Sequence, residues 1–180
     1  PAQPSYRDVV INEFLPDFSP SFGLPQAEFI ELYNASNKIF DLEDWQIEDA
    51  SSGGALSSRI FRPGDFLILC SAGDVASYQP YGTTMGVPSF PSLNNSGDQI
   101  KLFDSQGRII DRLSYTDQWY QDANKADGGF SLEQINPITN CSGSNNFIAS
   151  TNIQGGTPGT QNSVYDTTAD QTAPALLSAQ

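Results

Sequence analysis

The apolar residues of this chain arrive in short runs, each stopped within a few positions by Gly, Pro, Asn or Asp. That punctuation restricts it to short strands joined by many turns. The 180 residues include 15 Gly and 12 Pro but one Met, and no stretch sustains a helical apolar period. The clearest run, Phe66-Leu67-Ile68-Leu69-Cys70, follows the turn signal Arg62-Pro63-Gly64-Asp65. It has the length and side chains of a strand buried on both faces.

Further strands are predicted over residues 8–15, 28–34, 39–42, 45–49 and 130–135, with Trp45 and Ile47 sharing one face. Residues 99–104 and 108–113 flank Ser105-Gln106-Gly107, a hairpin pattern with glycine where φ is positive. Residues 51–55 read as a Ser/Gly turn, and 71–93 as an irregular stretch with a short helix near 72–78. The length suits one domain. Residues 1–7 form a polar lead-in, 8–165 the domain, and 166–180 a Thr/Ala/Asp-rich linker or the start of a following domain of a longer protein.

Eight Lys and Arg against 21 Asp and Glu give a formal charge of −13, which repels phosphate backbones and argues against nucleic acid. No run is long enough to span a membrane, so no membrane insertion is expected. Cys70 and Cys141 lie far outside zinc-ligand spacing. They read as a disulfide, which would stabilise the fold by roughly 4 kcal/mol in the chain-entropy model, with two buried thiols as the alternative.

Histidine is absent, which removes the Ser/His/Asp and Cys/His constellations of nucleophilic catalysis. Paired carboxylates remain as the one catalytic chemistry to weigh. Glu13, Glu28 and Glu31 are the candidates because they fall within strands. Their competing reading is structural, as acceptors of backbone hydrogen bonds. Asp41, Glu43, Asp44, Glu48 and Asp49 form an acidic cluster, with Asp17, Asp122 and Asp127 in other loops. None has calcium-loop spacing, so a Ca²⁺ ion would need ligands from distant segments. No other cofactor is expected. Gly155-Gly156-Thr157-Pro158-Gly159 lacks the ending of a phosphate loop and reads as a tight turn. Tyr78, Tyr81, Trp119 and Tyr120 are candidates for an exposed sugar-stacking or protein-docking patch, against the alternative of packing in the core.

Several short motifs stand in a fixed order. Ile11-Asn12-Glu13 is followed by Glu28-Phe29-Ile30-Glu31-Leu32-Tyr33-Asn34, by Asp41-Leu42 with Trp45 and Asp49, and by Pro63-Gly64-Asp65. Leu93-Asn94-Asn95-Ser96-Gly97-Asp98 comes next, then Gly107 with Asp111, Tyr115 and Trp119, then Gly129 with Ser131-Leu132-Glu133. Gly156-Thr157-Pro158-Gly159 with Asn162 closes the series. This ordered set resembles the bacterial lamin-tail domains. The resemblance implies an immunoglobulin-like β-sandwich with long irregular loops, and a non-catalytic module. It further implies an exported or surface-attached setting, joined to the other domains of a parent protein, and no particular ligand follows from it; the partner expected is a surface protein or a glycan of unknown identity. The alternative is an accessory, carbohydrate-directed domain of a secreted hydrolase. The chain departs from the family in two ways. The basic surface linked to chromatin in animal lamin tails is missing, and Asn146-Phe147 stands where many bacterial relatives have Asn-Trp. Phenylalanine there keeps an apolar plug and gives up an indole donor.

Overall fold

The structure, a computed structural model, describes residues 2–139 and 142–168. The strands, in chain order, are β1 (Val9–Leu15), β2 (Phe29–Asn34), β3 (Phe40–Asp41), β4 (Gln46–Glu48), β5 (Gly53–Ala55), β6 (Ile60–Phe61) and β7 (Phe66–Ser71). A one-turn helix α1 (Val75–Tyr78) leads to β8 (Thr84–Val87), β9 (Gly97–Phe103) and β10 (Ile109–Thr116). A 3₁₀ turn (Asp117–Tyr120) and α2 (Ala123–Ala126) precede β11 (Leu132–Gln134) and β12 (Phe147–Ala149).

Six strands form one sheet in the order β12-β11-β1-β2-β7-β8, four form a second in the order β10-β9-β4-β5, and β3 pairs with β6 at the side. All pairings are antiparallel except β7 with β8. The result is an all-β sandwich of the immunoglobulin-like kind.

The burial patterns explain why the strands differ in composition. In β10 they alternate, with Asp111, Leu113 and Tyr115 inside and Arg112, Ser114 and Thr116 outside, as expected of a sheet with one wet face. β1 is buried at all seven positions, and β7 at Leu67, Ile68, Leu69 and Cys70, because the six-stranded sheet is covered on both sides. Ile11, Phe14, Ile30, Leu32, Leu67 and Leu69 meet Ile47, Ile100, Leu102, Leu113 and Tyr115 in the main core. On the other face of the six-stranded sheet, Leu15, Phe29, Ile68 and Cys70 pack under Leu24, Ala27 and Tyr78.

Two details tie the sheets and the closing segment together. Asp111 of β10 accepts from Arg7 Nη1 at 2.8 Å and from the Ile11 amide of β1 at 2.9 Å, a buried link between the sheets. Phe147, the residue in place of tryptophan, is fully buried, 5.8 Å from Phe14 and 5.5 Å from Trp119 between ring centroids. It does act as an apolar plug.

The hairpin around Gly107 forms as predicted, with that glycine at φ +74°. The stretches read as a Ser/Gly turn and as an irregular segment prove to hold β5 and β8. Gly54 explains the first case: a Cβ there would overlap the Pro88 carbonyl, so the glycine serves a close approach within a strand and not a turn.

Candidate functional site

The pairing of β1 with β2 slips between Ile11 and Glu13, a bulge that sends both Asn12 and Glu13 to the outer face of the six-stranded sheet. Glu13 stands opposite Glu31 on β2 and opposite Glu133 on β11. Three carboxyl groups therefore lie in a row across neighbouring strands, all completely buried. Like charges in such positions repel, so the row must be satisfied by donors or by protons.

Ser131 and Asn12 supply two of the donors, and the others come from a segment more than 140 residues after β1. Glu13 Oε1 accepts from the Thr157 amide at 2.8 Å and from Ser131 Oγ at 2.6 Å. Glu31 accepts from Asn12 Nδ2 at 2.9 Å and from the Gly159 amide. Glu133 Oε2 accepts from Ser163 Oγ at 2.8 Å and from the Val164 amide at 3.2 Å. Asn162 completes the seal: its Nδ2 donates to the backbone carbonyls of Asn12 and Gln134, and its Oδ1 accepts from Asn12 Nδ2. Residues 155–164 thus form a roof that is bonded to the sheet through side chains.

Close approach explains the glycines of the roof. A Cβ on Gly156 would stand 2.6 Å from Glu13 Oε1, and one on Gly159, at φ +83°, would overlap the Tyr81 carbonyl.

Burial, reinforced by the neighbouring Glu31 and Glu133 charges, pushes the Glu13 carboxyl well above its ordinary value. Burial also pushes Glu31 up to about 8, against the pull of the Gly159 and Asn12 donors. Thr157 Oγ1 lies 3.3 Å from Glu13 Oε2 and 3.0 Å from Glu133 Oε1, and one hydroxyl has one proton to give. The Thr157 hydrogen therefore serves one of these two carboxyl groups at a time.

This arrangement is poorly suited to catalysis. The nearest cavity, about 150 Å³, is lined by Asn12, Tyr33, Phe66 and Asn162 and by none of the three glutamates. Among the described residues no group of three acidic or sulfur side chains is arranged to hold a metal ion. Glu28 stands apart, accepting from the Leu93 amide at 3.1 Å. The acidic cluster is likewise divided among local turns: Asp49 accepts from the Ser51 and Ser52 amides, and Asp41 from the Glu43 and Arg59 amides.

The aromatic candidates do not form one exposed patch. Tyr78 is fully buried, its hydroxyl donating to the Ala27 carbonyl at 2.6 Å and its ring 5.2 Å from Phe29. Trp119 and Tyr120 are buried in the main core at the other side of the molecule, and Tyr120 Oη donates to the Phe130 carbonyl. Only Tyr81 is partly exposed, with its hydroxyl on the Gly23 carbonyl. The expectation of a shared exposed surface is corrected for the other three by this packing. Cys70 is buried and has no disulfide partner among the described residues; burial and then the Asp74 charge push its thiol up to about 11. Its expected partner, Cys141, lies outside the described residues.

The family model described as Lamin Tail Domain matches residues 2–117, well over half of the chain. The chain belongs to the lamin tail domain family. No curated protein matches it in sequence. In this lamin tail domain the matched segment supplies Asn12, Glu13 and Glu31. The third carboxylate and the roof lie beyond it and are found in the same buried cluster. Glu133 and Asn162 carry no local signal of their role, which depends on partners 120 to 150 residues away.

Proposed function

We propose that this lamin tail domain is a non-catalytic interaction, adhesion or spacer module of a larger exported surface protein. One observation carries the reading: Glu13 and Glu31, the two candidate carboxylates that lie within strands, are fully buried and are spent as acceptors for the roof, while the third candidate, Glu28, lies apart from them on the Leu93 amide. A general acid must reach the proton it transfers, and these groups have no path to a substrate. The family itself is an immunoglobulin-like one, in which binding is read from surfaces and not from the fold.

The test is a pull-down of surface extracts and a glycan array, each probed with the domain and with its parent protein. Retention of a defined partner is the expected result, and absence of binding by both proteins would reduce the role to spacing. Turnover of glycosidic substrates that Glu13→Gln or Glu31→Gln abolishes without unfolding would overturn the non-catalytic reading in favour of a hydrolase accessory domain. Fractionation of the producing cell tests export. Mass spectrometry of unreduced protein tests the Cys70–Cys141 bridge, and two free thiols would end it.

A further inference from the structure

Of the eight Lys and Arg residues in a chain of net charge −13, Arg7, Lys38 and Arg108 are held in salt bridges. Lys101 and Arg112 are not. They stand directly opposite one another on β9 and β10, on the outer face of the four-stranded sheet, and neither makes an ion pair among the described residues. Glu48 flanks Lys101 on the side away from Arg112 without approaching to salt-bridge distance. Two like charges facing each other across a strand pair disfavour the sheet; Arg59, Arg62 and Lys125 also make no ion pair among the described residues, and what sets Lys101 and Arg112 apart is that they face each other.

The two cations line a shallow cleft of about 560 Å³ with Gln99, Ser114, Ser142 and the edge of Trp119. Gln99 Nε2 donates to Ser114 Oγ at 3.1 Å, and Ser142 Oγ to the Arg112 carbonyl at 2.8 Å. Leu113 and Trp119 contribute buried apolar flanks, so the polar groups offered around the two cations are the hydroxyls of Ser114 and Ser142 and the Gln99 amide.

We infer that this cleft binds an acidic sugar, a glycan residue bearing one carboxylate, with Lys101 and Arg112 on the carboxylate and Gln99, Ser114 and Ser142 on the hydroxyls. The inference rests on the interaction-module reading and names its ligand class. Two features select the ligand. A polyanion such as a nucleic acid is repelled by the molecule as a whole, whereas a single carboxylate is held by the local pair. An acidic polypeptide would find little apolar surface on which to anchor a side chain, since Leu113 is 3% and Trp119 8% exposed.

The experiment is an amide-resolved NMR titration of the domain with glucuronic acid, a glucuronate-terminated disaccharide, glucose, and an acidic peptide. Perturbation at Gln99, Lys101 and Ser114 by the acidic sugars alone is expected. Arg112→Gln should weaken that binding by about tenfold, the loss of one charge-assisted contact, with a further loss as salt is added. Equal response to glucose, or an unchanged response in Arg112→Gln, would overturn the inference. A response to the peptide and not to the sugars would overturn it in favour of a polypeptide ligand. No response to any probe would remove the cleft as a site, while a partner retained in the pull-down would leave the module reading standing.

Discussion

The two sheets share one core and have opposite outer faces. The outer face of the six-stranded sheet is roofed by residues 155–164 and holds three buried glutamates. That of the four-stranded sheet lies open and carries Lys101 and Arg112, which make no ion pair among the described residues. Carboxyl groups are therefore buried where the chain is most apolar, and cations are left exposed where it alternates. On the roofed face each carboxyl group organises a distant part of the backbone, so its value is positional. Buried charges are retained where they specify a connection; those on the open face specify nothing internal.

The contrast is broken most severely from the roof. Gly156→Val places a branched side chain against Glu13 Oε1, Ser131 Oγ and Leu24. Urea unfolding should show a loss of about 4 kcal/mol or more, the range of overpacking combined with severed buried hydrogen bonds. Asn162→Ala removes the donor to the Asn12 and Gln134 carbonyls and leaves the Asn12 side-chain amide with Glu31 alone. It should cost about 2 to 4 kcal/mol by the same measurement. A loss below 1 kcal/mol in both variants would mean that the roof is an ornament on an independently stable sheet.

The roofed and open faces were unequally legible. The alternation of β10 and the turn at Gly107 announce a sheet with one wet face, because each position reports its own exposure. Phe66 to Cys70 announces burial on both faces for the same reason. β5 escaped because Gly53 and Gly54 carry little side-chain preference, and β8 because it is four residues long, interrupted by Gly86, and depends on the parallel partner β7. At the site, Glu13, Glu31 and the closing glycines stand out as motifs, and the structural alternative for them holds. Their convergence with Glu133 and Asn162 is set by the fold and by no local pattern. The tyrosines misled because a polar neighbourhood in sequence says nothing of the Ala27 and Phe130 carbonyls that receive them.

Acidity offers a gentler probe of the roof. Glu31 is raised from its ordinary 4.5 to about 8 in the folded protein, so between these values the folded state keeps a proton that the unfolded chain has released. Its contribution is therefore fully present below about pH 4.5 and is lost as pH rises through about 8, at up to about 1.4 kcal/mol per pH unit. Glu13, raised in the same direction, adds to the slope. Denaturation midpoints across this window should fall with rising pH, and Glu31→Gln should flatten the fall, because the amide cannot titrate. Midpoints that rise over the same window would show that the row is held fully ionised by its donors.

The smallest effect is expected on the open face, and its sign matters more than its size. Lys101→Gln removes one of two opposed cations and breaks no hydrogen bond of the described fold. Stability should therefore stay within about 0.5 kcal/mol of the parent, with any change a gain at low salt that fades as salt is added, since relief of repulsion is screened. A loss of 1 kcal/mol or more would place Lys101 among the residues that hold the sandwich together, through Glu48 on its other flank. The two faces would then differ only in depth of burial, and not in what their charges are for.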